Sequence, residues 1–305
     1  MKIFVAGASG AIGQPLIAEL IRHGHTVTGM TQSEAGARRL TDQGAAAQIA
    51  DAFDASAVEQ ALRRSEPEII IDELTALPKH PADLPKYAPG DRKLRLEGGG
   101  NLHRAAQACG VRRYIQQSSG FFLHPGEGLA DESVGLATDA TPGVAASAQT
   151  YADLEARILN SNPMEGVSLR YGFFYGPNTW YHPEGGAADQ VRKKQFPLVG
   201  QAQGVWSFVH IEDAAIATVA ALTAEPGIYN IVDDDPSPVS RWLPPFAKWV
   251  GAPPPSTVPE VMARMVAGPD AVYYSTKLRG ASNEKARKTL NFRPRPLQWL
   301  HEPEA

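Results

Sequence analysis

The chain has 305 residues, 43% of them hydrophobic and 20% charged, with 29 Lys+Arg against 33 Asp+Glu for a net charge of −4. That length suits one large α/β domain with a smaller lobe, and the mild negative charge excludes the basic footprint of a nucleic-acid or anionic-membrane binder. No apolar run nears the roughly 20 residues a membrane span needs, and the single cysteine, Cys109, excludes an intrachain disulfide and a thiolate metal cluster.

The opening "KIFVAG" reads as a short strand, with too brief an apolar run for an export signal, so a cytoplasmic protein is expected. "AIGQPLIAELIRHGH" follows as a helix, with Ile12, Leu16, Leu20 and Ile21 on one face and Gly24 as its stop. "TVTGM" is a second strand, "EAGARRLTDQG" a helix, "AAQIAD" a third strand, and "DASAVEQALRRS" a helix capped by Asp54. "EIIID" is a fourth strand, and a longer helix over roughly 91–109 ends at Gly110. "RRYIQQSS" and "VSLRYG" are the fifth and sixth strands. This alternation predicts an α/β protein with a parallel, doubly wound sheet. Residues 120–146, rich in Gly, Ala, Asp and Pro, read as a long loop beside the sheet's carboxyl edge.

Beyond about 177 the regularity fades. "GPNTWYHPEGG" is a turn-rich loop, "RKKQFPLVGQAQGVWSFVH" holds short strands, "EDAAIATVAALTA" is a helix and "GIYNIVD" a strand. The proline-dense stretch 235–259 encloses a short helix carrying Trp242, Phe246 and Trp249.

"GASGAIG" places Gly7, Gly10 and Gly13 between a strand and a helix. Gly7 allows the tight turn, Gly10 lets a diphosphate approach the backbone, and Gly13 lets the helix pack closely on the sheet. The unpaired N–H groups of the helix start favour anionic phosphates there. Ser9, Ala11 and Ile12 complete this turn. Ser9 is flanked by Ala8 and Gly10, so it is no nucleophile elbow. A carboxylate at the end of the second strand would read a 2′-hydroxyl, and an arginine a 2′-phosphate. Here Thr31, Gln32 and Ser33 stand there, with Arg38 and Arg39 a helical turn on. This pattern leads us to expect NADP as the preferred cofactor, with NAD the alternative.

These motifs together resemble the extended or atypical short-chain dehydrogenase/reductase superfamily, the group with the NAD-dependent epimerases and dehydratases, over nearly the whole length. The resemblance implies a Rossmann-type sheet at 1–175 plus 205–235 and a smaller substrate lobe at 176–204 and 236–305. It implies that Asp51, in "IADAFDASAVEQAL", contacts adenine with Ala52 beside it, and that Leu74, Thr75 and Ala76 run along the cofactor. "RRYIQQSS" gives Gln117 and Ser118 beside the cofactor and Ser119 as the catalytic serine, while "VSLRYGFFYGP" gives Tyr171, Gly172, Phe173 and Phe174. "FVHIEDAAIA", "GIYNIVDDDP" and "SNEKARKTLNFRP" parallel later landmarks. Relatives also pair through two long helices, so a homodimer is expected.

The catalytic set of that superfamily is Ser or Thr, Tyr and Lys, the lysine lowering the tyrosine's pKa. In "SAQTYADLEARIL" two registers are open. In one, Tyr151 is the catalytic tyrosine and Glu155 replaces the lysine. In the other, Glu155 matches a glutamate four residues after the lysine, which puts Tyr151 at the lysine position and Ser147 at the tyrosine position. The Tyr–Lys pair is absent either way. Tyr151 remains the candidate proton donor, as a neutral phenol; an amphipathic helix burying Tyr151, Leu154 and Ile158 is the competing reading. A literal Tyr273-x-x-x-Lys277 lies beyond every landmark and reads as chance spacing.

Arg95 falls where relatives carry an asparagine, Phe173 where sugar-nucleotide enzymes have one, and Trp206 in a stretch that often bears arginine. Phe121, Phe122, Phe173, Trp180, Trp206 and His210 form the candidate substrate site, with Phe174 and Tyr181 nearby. Such a lining suits an apolar or aromatic substrate better than a nucleoside diphosphate. His23 and His25 read as exposed, His210 as a substrate neighbour or structural hydrogen bonder, Cys109 as core. The histidine spacing gives no metal site. The expected function is hydride transfer to or from a carbonyl of a small apolar substrate. A non-catalytic NADP-binding sensor and a sugar-nucleotide epimerase or dehydratase are the alternatives.

Overall fold

A computed structural model describes residues 1–301. Its first half alternates as β1 (Lys2–Ala6), α1 (Gly13–Arg22), β2 (Thr26–Thr31), α2 (Glu34–Asp42), β3 (Ala46–Ile49), α3 (Ala55–Ser65), β4 (Ile69–Asp72), α4 (Leu84–Lys93), α5 (Gly99–Ala108) and β5 (Arg113–Ser119). It continues with α6 (Pro142–Leu159), β6 (Glu165–Tyr171), β7 (Phe173–Tyr175), α7 (Gly186–Arg192), β8 (Leu198–Val199), β9 (Val205–Trp206), β10 (Phe208–His210), α8 (Ile211–Ala220) and β11 (Gly227–Ile231). The C-terminal part holds β12 (Ser237–Pro238), α9 (Val239–Trp249), β13 (Thr257–Val258), α10 (Glu260–Thr276), α11 (Glu284–Thr289) and α12 (Gln298–His301).

Seven of these strands form one parallel sheet in the order β11-β6-β5-β4-β1-β2-β3. The order reverses between β1 and β4, which opens a crevice at their carboxyl ends, where open α/β sheets bind ligands. The central strands are buried on both faces, as parallel strands covered by helices must be. Ile69 and Ile71 face the layer of α1 and α8, and Ile70 faces that of α3 and α5. In α1, Leu16, Ile17 and Leu20 are buried while Arg22 and Glu19 pair on the outer face at 2.6 Å.

A separate aromatic core, with Trp242, Phe246, Tyr181, Phe208 and Trp299, joins residues from 122–148, 173–208 and 232–299. No helix among the described residues is long and apolar enough to cross a membrane. The last four residues of the expected lobe, 302–305, lie outside the described residues.

Three sequence expectations change. The helix expected over 91–109 starts at Leu84 and passes through one π-helical turn, Leu94–Gly98, before α5. Pro85 and Pro89 read as breakers, but Pro85 occupies the first turn, where a missing N–H costs nothing, and Pro89 removes a single bond just beyond it. Second, α10 was not expected: Gly268 and Pro269 punctuate its sequence, and the backbone does break at Gly268 (φ 84°, ψ 174°) before the helix resumes. Third, Cys109 caps the end of α5 and is half-buried rather than core.

Candidate functional site

The glycine turn sits at the end of β1 in the crevice. Gly7 has φ +77°, and a Cβ there would strike the Glu73 carbonyl. A Cβ on Gly13 would strike the Ala8 carbonyl. The protein itself therefore demands glycine at both. Gly10 differs. A Cβ there would meet only the Gly7 carbonyl, at 3.1 Å, so its open side faces away from protein. Ser9 and Ala11 are half-exposed beside it and Ile12 is buried. The residue at the start of α1, Ile12, offers no side-chain cap, and no acidic residue lies in the first turn. Among the described residues the amides of Ala11 and Ile12 make no hydrogen bond. Free amides, a helix start and an uncrowded Gly10 fit a dinucleotide diphosphate.

At the far end of the crevice Thr31 is buried, while Gln32, Ser33 and Arg38 are exposed. The Ser33 hydroxyl caps α2 by accepting from the Gly36 amide at 3.1 Å. Asp51 accepts from the Gln32 side chain at 3.3 Å and from the Phe53 amide at 3.0 Å, which ties the second and third strand ends into one rim. Ala52 is buried, its carbonyl held by Asn101 at 2.9 Å.

The segment Leu74, Thr75 and Ala76 leaves β4 half-exposed along the crevice. Asp72 holds the Leu74 amide at 3.1 Å, and Asp91 of α4 holds the Ala76 amide at 2.6 Å. Asp91 also binds Arg95 at 2.7 Å, and Arg95 reaches the Gln117 side chain at 3.3 Å. Gln117, Ser118 and Ser119 are all buried at the end of β5. The Ser119 hydroxyl accepts from the Phe121 amide at 3.4 Å and makes no other bond among the described residues. Tyr171, level with Ser119 across the sheet, donates to Glu73 at 3.0 Å and shares a 2.6 Å bond with Thr218. Its ring tilts against Phe174 at 5.2 Å. Gly172 lies so close to Ser207 and Phe208 that no side chain fits.

Sequence reasoning passed over Glu73. It is fully buried, one of its oxygens has no partner among the described residues, and its backbone lies against the glycine turn. Burial pushes its carboxyl up to about 8, against the opposing hydrogen bond from Tyr171.

The helix α6 turns Glu155 inward. Its carboxylate takes two N–H bonds from Arg170, at 2.7 and 2.8 Å, and accepts from the Ser118 hydroxyl at 2.7 Å. A carboxylate so engaged is not free to act on the Tyr151 phenol. Tyr151 itself is half-buried, and the Arg95 guanidinium lies 5.0 Å from its ring centre. Burial pushes the phenol up and Arg95 pulls it back. Ser147 is spent on the Gly143 carbonyl, one turn back, at 2.9 Å. This geometry suits the register in which Glu155 is the structural glutamate.

Beyond Ser119 stands an aromatic wall. Phe121 stacks on Phe173 at 4.0 Å, and Phe173 on Trp206 at 4.1 Å. Phe122 joins this group to Tyr151 (5.9 Å) and Tyr274 (6.1 Å), and Trp206 meets Tyr274 at 6.0 Å and Phe196 at 6.2 Å. Tyr274 and Phe196 were not legible as site residues, since α10 and the segment before β8 reach the wall only through the fold. Two expected wall residues sit elsewhere. The Trp180 indole donates to the Pro78 carbonyl at 2.8 Å and closes the loop after β4. His210 caps α8 by accepting from the Glu212 amide at 3.3 Å, and its ring packs on Tyr175 at 5.0 Å. Its alternative reading as a structural hydrogen bonder is the one this placement suits. Tyr273 and Lys277 lie on or just after α10, with the Tyr273 hydroxyl buried and unpartnered among the described residues.

Comparisons with known proteins agree with this architecture. A curated Streptomyces sp. protein, 3-diazoavenalumate denitrifying reductase, is 38% identical over 302 residues, 98% of this chain and 98% of that protein. The 2-alkyl-3-oxoalkanoate reductase of Stenotrophomonas maltophilia (strain K279a) is 27% identical over 270 residues, 83% of this chain and 77% of that protein. The solved UDP-glucose 4-epimerase of Thermus thermophilus, in complex with NAD, shares the fold at a TM-score of 0.73 and 24% identity, covering 98% of this chain and 96% of that one. The model of the NAD dependent epimerase/dehydratase family matches residues 3–232, and the chain belongs to that family.

Proposed function

We propose that this chain is a nicotinamide-dependent reductase of a small aromatic substrate, and that hydride goes to a centre whose reduction leaves no alkoxide to protonate. The substrate class we favour is an arenediazonium. The observation that carries this reading is the exchange at the relay positions. Ser147 and Tyr151 stand there, and the nearby carboxylate, Glu155, is committed to Arg170. Reduction of a ketone makes an alkoxide, for which a positioned acid contributes about 10²–10⁴-fold. Hydride arriving at the terminal nitrogen of ArN2⁺ instead gives a neutral diazene, ArN=NH. Its C–N bond then breaks, N2 leaves, and the diazene hydrogen ends on the ring carbon. The sum is ArN2⁺ plus hydride giving ArH plus N2, with no outside proton. The name of the Streptomyces relative describes a denitrifying reduction of a diazo compound and supports the reading.

The cofactor, when bound, supplies the hydride. The amides of Ala11 and Ile12 would hold its diphosphate over Gly10, with Leu74, Thr75, Ala76 and Gln117 along its length. Neutral Gln32 and Ser33 with exposed Arg38 favour NADP over NAD. Phe121, Phe173 and Trp206 offer the substrate ring an apolar face and keep water from a reactive cation. Among the described residues the cation beside this wall, Arg95 over Tyr151, is engaged by Asp91 and Gln117, which argues against a sugar-nucleotide substrate, whose diphosphate needs free cations.

The test is oxidation of NADPH coupled to reduction of 4-hydroxybenzenediazonium to phenol and N2, above the rate without protein. We expect saturable formation of phenol and N2 in step with the NADPH consumed, with Tyr151→Phe within about threefold of the parent. A second reading, ketone reduction, is favoured by the uncommitted Ser119 hydroxyl and by the 27% identical relative. It would displace the first if 3-oxo esters turn over, diazonium does not, and Tyr151→Phe costs about 10²-fold or more. Nucleotide binding with no turnover of either class would leave the sensor reading.

A further inference from the structure

A cavity of about 380 Å³ adjoins the aromatic wall, sharing Trp206 and Tyr274 with it. Phe196 closes one side, and Met262, Val266 and Ala267 of α10 close another. No charged side chain lines it among the described residues. Its polar groups are largely spent: the Trp206 indole donates to the Tyr274 carbonyl at 2.8 Å, and the Ser275 hydroxyl donates to the Val199 carbonyl at 3.4 Å. That leaves the Gln195 amide and the Tyr274 hydroxyl. A volume of this size falls in the range of small-molecule sites, which are mostly apolar with a few polar groups.

The rim adds a second observation. The first part of α10, residues 260–267, leaves Met262 52% and Val266 87% exposed, although both line the cavity. Val261 and Met265 beside them are 70% and 75% exposed. Apolar side chains facing both water and an apolar chamber gain when an apolar ligand covers them. The break at Gly268, with φ +84°, separates this segment from the turn that carries Tyr274, so the rim is a unit of its own.

We infer that this chamber seats an uncharged apolar arm, alkyl or conjugated, attached to the aromatic ring of the substrate that rests beside Trp206. The inference takes from the reductase reading only that the ligand is the substrate. The wall and the chamber meet at Trp206 and Tyr274, so one molecule with a ring and a tail spans both.

Binding of 4-n-alkylphenols, methyl to hexyl, to the full chain with NADP present tests this by calorimetry. These phenols are not hydride acceptors, so turnover plays no part. Affinity rises roughly fourfold for each added methylene until the chamber is full. Ala267→Trp places an indole in the chamber, and Val266→Asp places a charge on its rim; both positions are exposed, so the fold tolerates them. Each flattens the rise while 4-methylphenol binds as in the parent. A flat series in the parent overturns the inference, as does a rise that survives both substitutions. A rise without reduction of any electrophile upholds the chamber and removes the reductase reading; reduction with a flat series does the reverse.

Discussion

Arg170 on β6 grips Glu155 on α6 with two N–H donors, at 2.7 and 2.8 Å, and both side chains are buried. The pair fixes the helix that carries Tyr151 to the strand that ends at the crevice. Removing one partner of such a pair strands the other charge away from water, at a cost of about 3–5 kcal/mol. Glu155→Gln is expected to lose that much unfolding free energy in urea titration. At a temperature where the variant is fully folded, its turnover should stay near the parent's. A folded variant with turnover down a hundredfold would instead make Glu155 part of the chemistry.

Gly7 and Gly10 separate fold from ligand. Gly7→Ala meets both a left-handed backbone and the Glu73 carbonyl, and strain of this kind costs about 1–3 kcal/mol. Gly10→Ala meets only an oxygen at 3.1 Å, so stability should change by no more than about 0.5 kcal/mol. Its methyl group would stand between the turn and the diphosphate, and NADPH affinity should fall at least about tenfold. Thermal melting without nucleotide and calorimetry with it check the two halves. Unchanged affinity in a well-folded Gly10→Ala would place the nucleotide elsewhere.

Arg38 is exposed one turn into α2, the helix that Ser33 caps and that follows directly on Gln32, the partner of Asp51. Charge-assisted hydrogen bonds contribute about 1.5–3 kcal/mol. Arg38→Ala is therefore expected to weaken NADPH about tenfold or more and to leave NADH within about twofold. Equal losses for both nucleotides, measured by fluorescence titration, would deny Arg38 a role in reading the 2′-phosphate.

The sheet was legible because its determinants are local. Short apolar runs ending in glycine or polar residues mark β1, β4 and β5, and the change from Ile115 to Gln116, Gln117, Ser118 and Ser119 marks where β5 leaves the core for the crevice. The wall was half legible. Phe173 and Trp206 lie on recognisable landmarks, whereas Tyr274 and Phe196 come from segments that only tertiary packing brings to them. Glu155 was ambiguous because its partner, Arg170, lies on the next strand, and no spacing rule joins a helix position to a strand position. Glu73 was passed over because a carboxylate after "IIID" reads as a solvated turn residue. Its burial follows from the closing of α8 and β6 over it.

Glu73 makes a prediction about pH. Its neighbours are Tyr171, which donates at 3.0 Å, the Asp72 carboxylate and the more remote Arg95, with Thr218 holding the far side of the Tyr171 hydroxyl. Burial raises its pKa from the ordinary 4.5 to about 8. The folded chain thus keeps a proton there that the unfolded chain releases above about pH 4.5. The contribution to stability is complete below that value and is lost progressively as pH rises to about 8. Between pH 6.5 and 8 the loss approaches about 1.4 kcal/mol per pH unit near pH 6.5–7 and falls to about half of that as pH reaches 8. His103, which burial lowers from 6.5 to about 4, stays neutral in the folded chain, while the unfolded chain still binds part of a proton near pH 6.5; its opposing slope is confined to the lower edge of the window and is common to parent and variant. Glu73→Gln keeps the shape and the bond from Tyr171 but has no proton to lose. Histidines lowered by burial, His25, His103 and His210, titrate alike in both proteins, so urea titrations across this window should show a slope more negative in the parent than in the variant. Equal slopes would mean that Glu73 is ionised inside the fold, and that a cation or water satisfies its second oxygen.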